Sequence, residues 1–333
     1  MAREAAPARC TVVVAIEGKR YSVDELQELA VYFSSLRANG CEVLVMDGSS
    51  WDLLEEHERV LRWVARHQRV EPRHRSIDGR ISVIDAALDL ATSDSIIIAS
   101  EEHRLDAAAV DAICHLLASH DVVATHQFFA PLPWWGRIEA ARTLLLRSFG
   151  PAHDPSSAFA FRCAPLRQLR QYAGNGLWDD GEPLRDFALQ GLDVHDSHDL
   201  FVERRPSAMR RWWIERPRRA SDELEVTSRA MLLFAVLPVA VLLVLLAGSS
   251  AAAVCGVLMS AIAVALAVRG RAGAASHFPT AVCLFAPLAI VDRALSVYCA
   301  VIRKVVNAAW IRSEPAISPR FIQRSTRKHS VSR

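Results

Sequence analysis

The chain contains no Gly-x-Gly-x-x-Gly and no Walker loop, so it lacks the two commonest backbone cradles for a phosphate group. It also has no Cys-x-x-Cys pair. Its seven cysteines (Cys10, Cys41, Cys114, Cys163, Cys255, Cys283 and Cys299) are an odd number, which argues against a structural zinc site and a disulfide framework and fits a reducing compartment. Buried small hydrophobe is their default role. An excess of charge is missing as well. With 39 Lys and Arg against 37 Asp and Glu, 333 residues carry a net charge of +2, which excludes a polyelectrolyte chain and offers nothing to nucleic acid. No apolar stretch of signal-peptide length precedes the strand-like run at Thr11, so the front of the chain is expected not to be exported. What is present is unevenly spread. Apolar residues concentrate between about positions 230 and 302, and nearly all acidic residues lie before them, so the expected chain is soluble in front and membranous behind.

The front portion alternates strand and helix. Thr11 to Ile16 is an unbroken β-branched run, as expected of a strand buried on both faces. Ser22-Val23-Asp24-Glu25 has capping-box spacing, and Leu26, Leu29, Ala30, Phe33 and Leu36 follow at helical spacing until Asn39-Gly40. Cys41 to Met46 supplies the next strand, Asp47-Gly48-Ser49-Ser50 a tight loop, and Leu53, Leu54, Val60, Leu61 and Val64 the face of a second helix. A helix over about 81–91, a strand at 95–99, a helix over about 107–119 and a strand at 121–125 continue the series. Serial alternation of this kind predicts an α/β fold with a doubly wound, mostly parallel sheet. Ligands of such sheets sit beyond the carboxyl ends of the strands. The loops after Met46 and Ala99 are therefore the places to seek chemistry, and both carry acids: Asp47 in the first, Glu101 and Glu102 with His103 in the second.

These residues resemble the family 2 glycosyltransferases, which have the nucleotide-diphospho-sugar-binding GT-A fold and include a membrane-bound branch with C-terminal helices. VLVMDGSS is similar to the family's strand followed by Asp-Gly-Ser, which implies a donor-nucleoside contact at Asp47, with Ser49 beside it. GRISVIDAALDLATSD looks like the donor-side helix before the metal-binding strand, and IIIASEEHRLDAAAV occupies the place of the Asp-x-Asp motif. Aligned on Arg104-Leu105-Asp106, Ser100 and Glu102 fall on the two carboxylate positions with Glu101 between them; only Glu102 matches chemically. The resemblance implies a divalent cation, Mn2+ or Mg2+, on Glu102 and Glu101. LWDDGEPLRDFALQG looks like the segment that carries the family's general base, which implies that role for Asp180, with Asp179 in the preceding acidic position. RRPSAMRRWWIERPRR is similar to the Arg-Trp element of membrane-bound members, without its glutamine, and implies donor contacts from Arg210, Arg211 and Trp212.

Sugar transfer needs a base for the attacking hydroxyl and positive charge for the departing diphosphate. Asp180 at the start of a helix suits the first task, with Asp179 and Glu182 opposing its ionisation; a cation on Glu102, or Arg210 and Arg211, suits the second. Each residue also has a plainer role open to it. Asp47 can be a helix cap, Glu101-Glu102-His103 a solvated turn, and Asp179-Asp180-Gly181-Glu182 the acidic first turn of a surface helix. His126, Gln127 and the PLPWW segment lie where an acceptor would pass, while Trp134 and Trp135 suit a core or membrane-interface position.

Behind the front domain, 230–246 and 251–268 are apolar runs of spanning length joined by Gly248-Ser249-Ser250, a predicted helical hairpin. Arginines flank both ends (Arg204 to Arg229 before, Arg269 and Arg271 after), which places both ends in the cytoplasm by the positive-inside rule. The bland role for Arg204, Arg205, Arg218 and Arg219 is to hold anionic lipid headgroups. The run at 278–302 contains Pro279, Pro287, Asp292 and Arg293 and is followed by a basic tail; a re-entrant or interfacial element keeps that tail inside, and a third span with Asp292 and Arg293 paired within the protein is the alternative. The expected organisation is a cytoplasmic nucleotide-sugar-binding domain over 1–222, a membrane region over 223–305 and a basic tail over 306–333. The expected activity is inverting transfer of a sugar from a nucleotide-diphospho-sugar to a membrane-associated, lipid acceptor at the cytoplasmic membrane. The rival is a binding or assembly protein that keeps the fold and has lost the chemistry, with Ser100 at a usual carboxylate position as its motive. A soluble nucleotidyl transferase of the same fold is disfavoured, because no Gly-rich phosphate loop is present.

Overall fold

A computed structural model describes residues 8–16, 20–70, 79–149, 157–173, 183–213 and 227–313. In chain order these form β1 (Thr11–Ile16), α1 (Val23–Ala38), β2 (Glu42–Asp47), α2 (Trp51–Leu61), β3 (Arg66–Arg69), α3 (Gly79–Leu90), β4 (Ser95–Ser100), β5 (His103–Arg104), α4 (Ala107–Leu116), β6 (Val122–Phe129), α5 (Trp134–Ser148), β7 (Phe159–Arg162), α6 (Cys163–Ala173), α7 (Pro183–Leu189) and β8 (Val194–Arg204). Two long helices follow, α8 (Thr227–Gly270) and, after a 3-10 turn at Thr280–Phe285, α9 (Ala286–Ser313).

The strands make one sheet in the order β3-β2-β1-β4-β7-β6-β8-β5. Pairings β3 with β2, β2 with β1, β1 with β4 and β6 with β8 are parallel, while β7 runs antiparallel to both neighbours and β5 antiparallel to β8. The expected mostly parallel α/β sheet is therefore present with an antiparallel strand inserted. Both faces are covered, which is why the central strands read as unbroken apolar runs. Val12, Val14, Val43, Val45 and Ile97 pack under Leu29, Phe33, Val110 and Ile113 of α1 and α4. On the other face Val13, Leu44, Met46, Ile96 and Ile98 meet Ile84 and Leu88 of α3, Leu166 of α6 and Phe187 of α7. The capping box is formed as read: Ser22 Oγ accepts from the Glu25 amide at 3.2 Å, and the Glu25 carboxylate accepts from the Ser22 amide at 2.8 Å.

Helix α8 breaks at the predicted joint. Gly248 has φ 79° and ψ 167°, a backbone conformation open to glycine because no Cβ is present. Two helices, Gly248–Gly270 and Thr280–Ile302, are long and apolar enough to cross a membrane, and Leu233–Leu246 is a shorter apolar helix. A third core joins these helices to the sheet domain: Ile138, Ala141 and Leu144 of α5 and Trp212 pack on Ala263, Ala267, Phe278, Val282 and Ala286. Arg293 of α9 reaches Glu139 of α5 at 3.5 Å, and Arg142 reaches the same oxygen at 3.1 Å. Arg293 is thus paired within the protein, through α5.

Candidate functional site

The parallel register gathers the acids. Ile16 lies opposite Asp47 and Ala15 opposite Ser100, so the loops after β2 and β4 flank the carboxyl end of β1. The acids of both loops therefore share one edge of the sheet, as the strand-end rule predicts.

Asp47 is 0% exposed. One carboxylate oxygen accepts from His57 Nδ1 at 2.7 Å and from His67 Nε2 at 3.0 Å, and the other accepts from the Ser49 amide at 2.8 Å. Burial alone would raise the pKa of this carboxyl; the hydrogen bonds from His57, His67 and Ser49 outweigh it and hold the group well below the usual carboxylate range. Asp47 is consequently a permanent anion whose oxygens order the loop. Ser49 is buried beside it, with an Oγ that has no hydrogen-bond partner among the described residues. At the rim, the Arg69 guanidinium lies 3.9 Å from the ring centroid of the exposed Trp51. His57 and His67 were absent from the sequence-derived candidates. Residue 57 falls between the buried Leu54 and Leu61 on the inner face of α2, and that position is the signal that could have found it.

The second loop is held by arginines. Arg204, at the end of β8, donates from Nε at 2.8 Å and from Nη2 at 2.6 Å to one oxygen of Glu102. Arg211 donates to Glu101 at 3.1 Å. The Ser100 amide donates to His103 Nδ1 at 3.0 Å, which leaves the proton of the ring on Nε2, facing Gln127 Oε1 at 3.3 Å. Gln127 Oε1 also accepts from Arg204 Nη1 at 3.2 Å, so Ser100, His103, Gln127, Arg204 and Glu102 form one chain of contacts. Two expectations are corrected here. Arg204 is buried in this network and is not a lipid-headgroup ligand, and His126 and Gln127 are buried within β6 and do not line an acceptor path.

Glu102 and Glu101, the residues expected to hold a divalent cation, each face a guanidinium, and no cluster of three His, Cys, Asp or Glu side chains suited to a metal ion occurs among the described residues. As arranged, these side chains do not fit such an ion. Arg210 is exposed on the same segment as Arg211, and Trp212 is buried in the core shared with the C-terminal helices. Trp135 is half-buried against that core, while Trp134 is 53% exposed. A small cleft lined by Phe129, Trp135, Gly136, Arg204, Pro206 and Trp212 lies between the strand-end network and the apolar helices. Asp179 and Asp180 lie outside the described residues; α7, which follows them, is anchored in the core through Leu184 and Phe187.

Neither a protein-family model nor a curated protein matches the chain. Among solved structures it is similar to a mannosyltransferase from Pyrobaculum calidifontis in complex with GDP-Man and Mn2+, at 18% identity over 89% of this chain and 90% of that one, with a TM-score of 0.46. It is also similar to glucosyl-3-phosphoglycerate synthase from Mycobacterium tuberculosis, at 15% identity over 66% and 79% of the two chains and a TM-score of 0.44. A third is residues 1–349 of TarS from S. aureus, at 14% identity over 65% of each chain and a TM-score of 0.38.

Proposed function

We propose that the chain is a membrane-anchored, family 2-like glycosyltransferase that moves a sugar, with inversion, from a nucleotide-diphospho-sugar to a lipid acceptor at the cytoplasmic face of the membrane. The observation that carries the proposal is the placing of the strand-end groups. Two acid-bearing loops converge at the carboxyl end of β1, and the arginines facing the second loop come from the segment that leads to the apolar helices. Soluble donor and membrane acceptor then approach one crevice from opposite sides.

In this proposal Asp47 and its histidines fix the loop that receives the nucleoside, with Ser49 Oγ as a hydrogen-bonding group for it. Asp180 takes the proton of the acceptor hydroxyl as its oxygen bonds to the anomeric carbon, and the bond from that carbon to the diphosphate breaks. Arg210 and Arg211 neutralise the departing diphosphate. No step is assigned to a divalent cation, because Glu101 and Glu102 are held by arginine. The assembly-protein alternative rests on the same pairing, since Glu101 and Glu102 each face an arginine and form no cation site among the described residues.

The test is transfer of radiolabelled sugar from a panel of nucleotide sugars into lipid extract by the full chain in detergent, with manganese or with EDTA. The proposal expects one donor to be turned over, and its rate in EDTA to stay within about twofold of that in manganese, as arginine neutralisation requires. A rate that collapses in EDTA and returns with manganese would show that Arg204 and Arg211 give way to an ion. Donor bound without turnover would favour the assembly protein.

A further inference from the structure

The sheet edge opposite the proposed site holds three thiols that the proposed activity does not use. Cys10 immediately precedes the buried run of β1 and Cys41 precedes β2. They are neighbours across parallel strands, with the Glu42 amide donating to Cys10 O at 2.9 Å and the Arg9 amide to Gly40 O at 3.0 Å. Their Sγ atoms are 3.6 Å apart. Strand neighbours have α-carbons about 4.8 Å apart, inside the range that a disulfide spans. Cys114 of α4 packs against the cluster on the same face of the sheet that contains Cys10 and Cys41. Cys10 and Cys41 are buried, whereas Cys114 is partly open to solvent. At the mouth of the cluster Arg9 forms an ion pair with Asp111, three residues before Cys114 on α4.

We propose that Cys114, Cys10 and Cys41 form an oxidisable thiol relay in which Cys114 meets a peroxide and the oxidation ends as a Cys10–Cys41 disulfide. The Cys10 thiol and the Arg9 charge, acting against burial, hold Cys114 down at about 7, while contact with the two other thiols pushes Cys10 up. The accessible sulfur is therefore the nucleophilic one. Its thiolate attacks one peroxide oxygen, the O–O bond breaks, and the departing hydroxide takes a proton from solvent to become water. The sulfur has lost two electrons and is a sulfenic acid. Cys10 then attacks that sulfur, expelling hydroxide, which leaves as water with the Cys10 proton, and a Cys10–Cys114 disulfide forms. Cys41, as thiolate, attacks the Cys10 sulfur and releases Cys114 as thiolate. In sum, one peroxide and two thiols give one disulfide and two waters. A dithiol reductant reverses the bond.

The experiment treats the reduced full chain in detergent with stoichiometric hydrogen peroxide, alkylates the remaining thiols after unfolding and maps the peptides. The relay predicts loss of two of the seven thiols, recovered as a peptide cross-linked between Cys10 and Cys41. Cys114→Ser slows the loss about tenfold, because the peroxide must then reach the buried Cys10 and Cys41. Arg9→Gln slows it in the same direction without altering the core. Cys10→Ala leaves a sulfenic acid on Cys114 that dimedone captures. Oxidation at Cys255 or Cys299 with Cys10, Cys41 and Cys114 all still alkylated would overturn the relay, as would a wild-type rate in both Cys114→Ser and Arg9→Gln.

Discussion

Asp47 concentrates the residue-scale argument, because one buried carboxylate orders three donors from three places in the chain. Replacing it by Asn removes the anion that His57 and His67 face, and the expected loss of stability is about 3 kcal/mol, read from chemical denaturation of the full chain. The pH dependence has a fixed sign. Since folding lowers the proton affinity of Asp47, its contribution is complete above about pH 5 and is lost as the pH falls below about 4, where the unfolded chain takes up the proton first. Asp47→Asn should therefore show a shallower loss of stability between about pH 5 and pH 3 than the wild type, and equal slopes would contradict the assignment. Arg204→Gln leaves the Glu102 carboxylate facing no guanidinium from β8, and an expected cost of about 3 kcal/mol should shrink in the double variant with Glu102→Gln. Strand-end acids were legible in the sequence because the strands before them are unbroken apolar runs. Their partners were not. Arg204 and Arg211 lie 102 and 110 residues beyond the acids they meet, a separation set by topology that no local spacing records.

Among the elements, the legible ones were those whose apolar pattern matched one period. TVVVAI, VLVM and SIIIAS read directly as strands, since a strand covered on both faces needs no polar alternation. β3 (RHQR) is polar throughout, and β8 (VHDSHDLFVER) has one short apolar run, Leu200-Phe201-Val202; they become strands where β2 offers an edge to the first and β6 and β5 to the second. α5 was also hidden, because its buried face includes Glu139, Arg142 and Thr143, which make their contacts on neighbouring helices or within the turn. That helix sits against α8 with little space between backbones: a Cβ on Gly270 would lie 1.8 Å from the Leu144 carbonyl oxygen. Gly270→Ala should force α5 and α8 apart and cost about 3 kcal/mol, read as a lower melting temperature in detergent and faster proteolysis. Gly256→Ala, where nothing lies within 4 Å of the added carbon, is the control and should be neutral or mildly stabilising.

Across the whole chain, two C-terminal helices, Gly248–Gly270 and Thr280–Ile302, are long and apolar enough to cross a membrane. Leu245 and Leu246 of α8 are 75% and 78% exposed, and Val257, Met259 and Leu284 are further exposed apolar side chains of the C-terminal region. Alkaline carbonate should leave the expressed chain in the membrane pellet, and release into the supernatant would contradict a membrane anchor. The third core adds a consequence for the front domain. A chain ending at residue 213 exposes Ile138, Leu144 and Trp212, which face α8, the turn after it and α9 in the full protein, so it should aggregate without detergent. This organisation, apolar behind and polar in front, was plain in the sequence; the way α5 and Trp212 bind the two parts was not, because that core draws single residues from widely spaced segments. In the proposed function Asp180 is the general base of sugar transfer. Its most direct test compares wild type and Asp180→Asn in the full chain, measuring donor affinity and sugar transfer to lipid extract on the same preparation. Asp180→Asn should bind donor within about threefold of wild type and reduce transfer at least about a hundredfold, the scale of a lost general base. Transfer that persists undiminished in Asp180→Asn would contradict it.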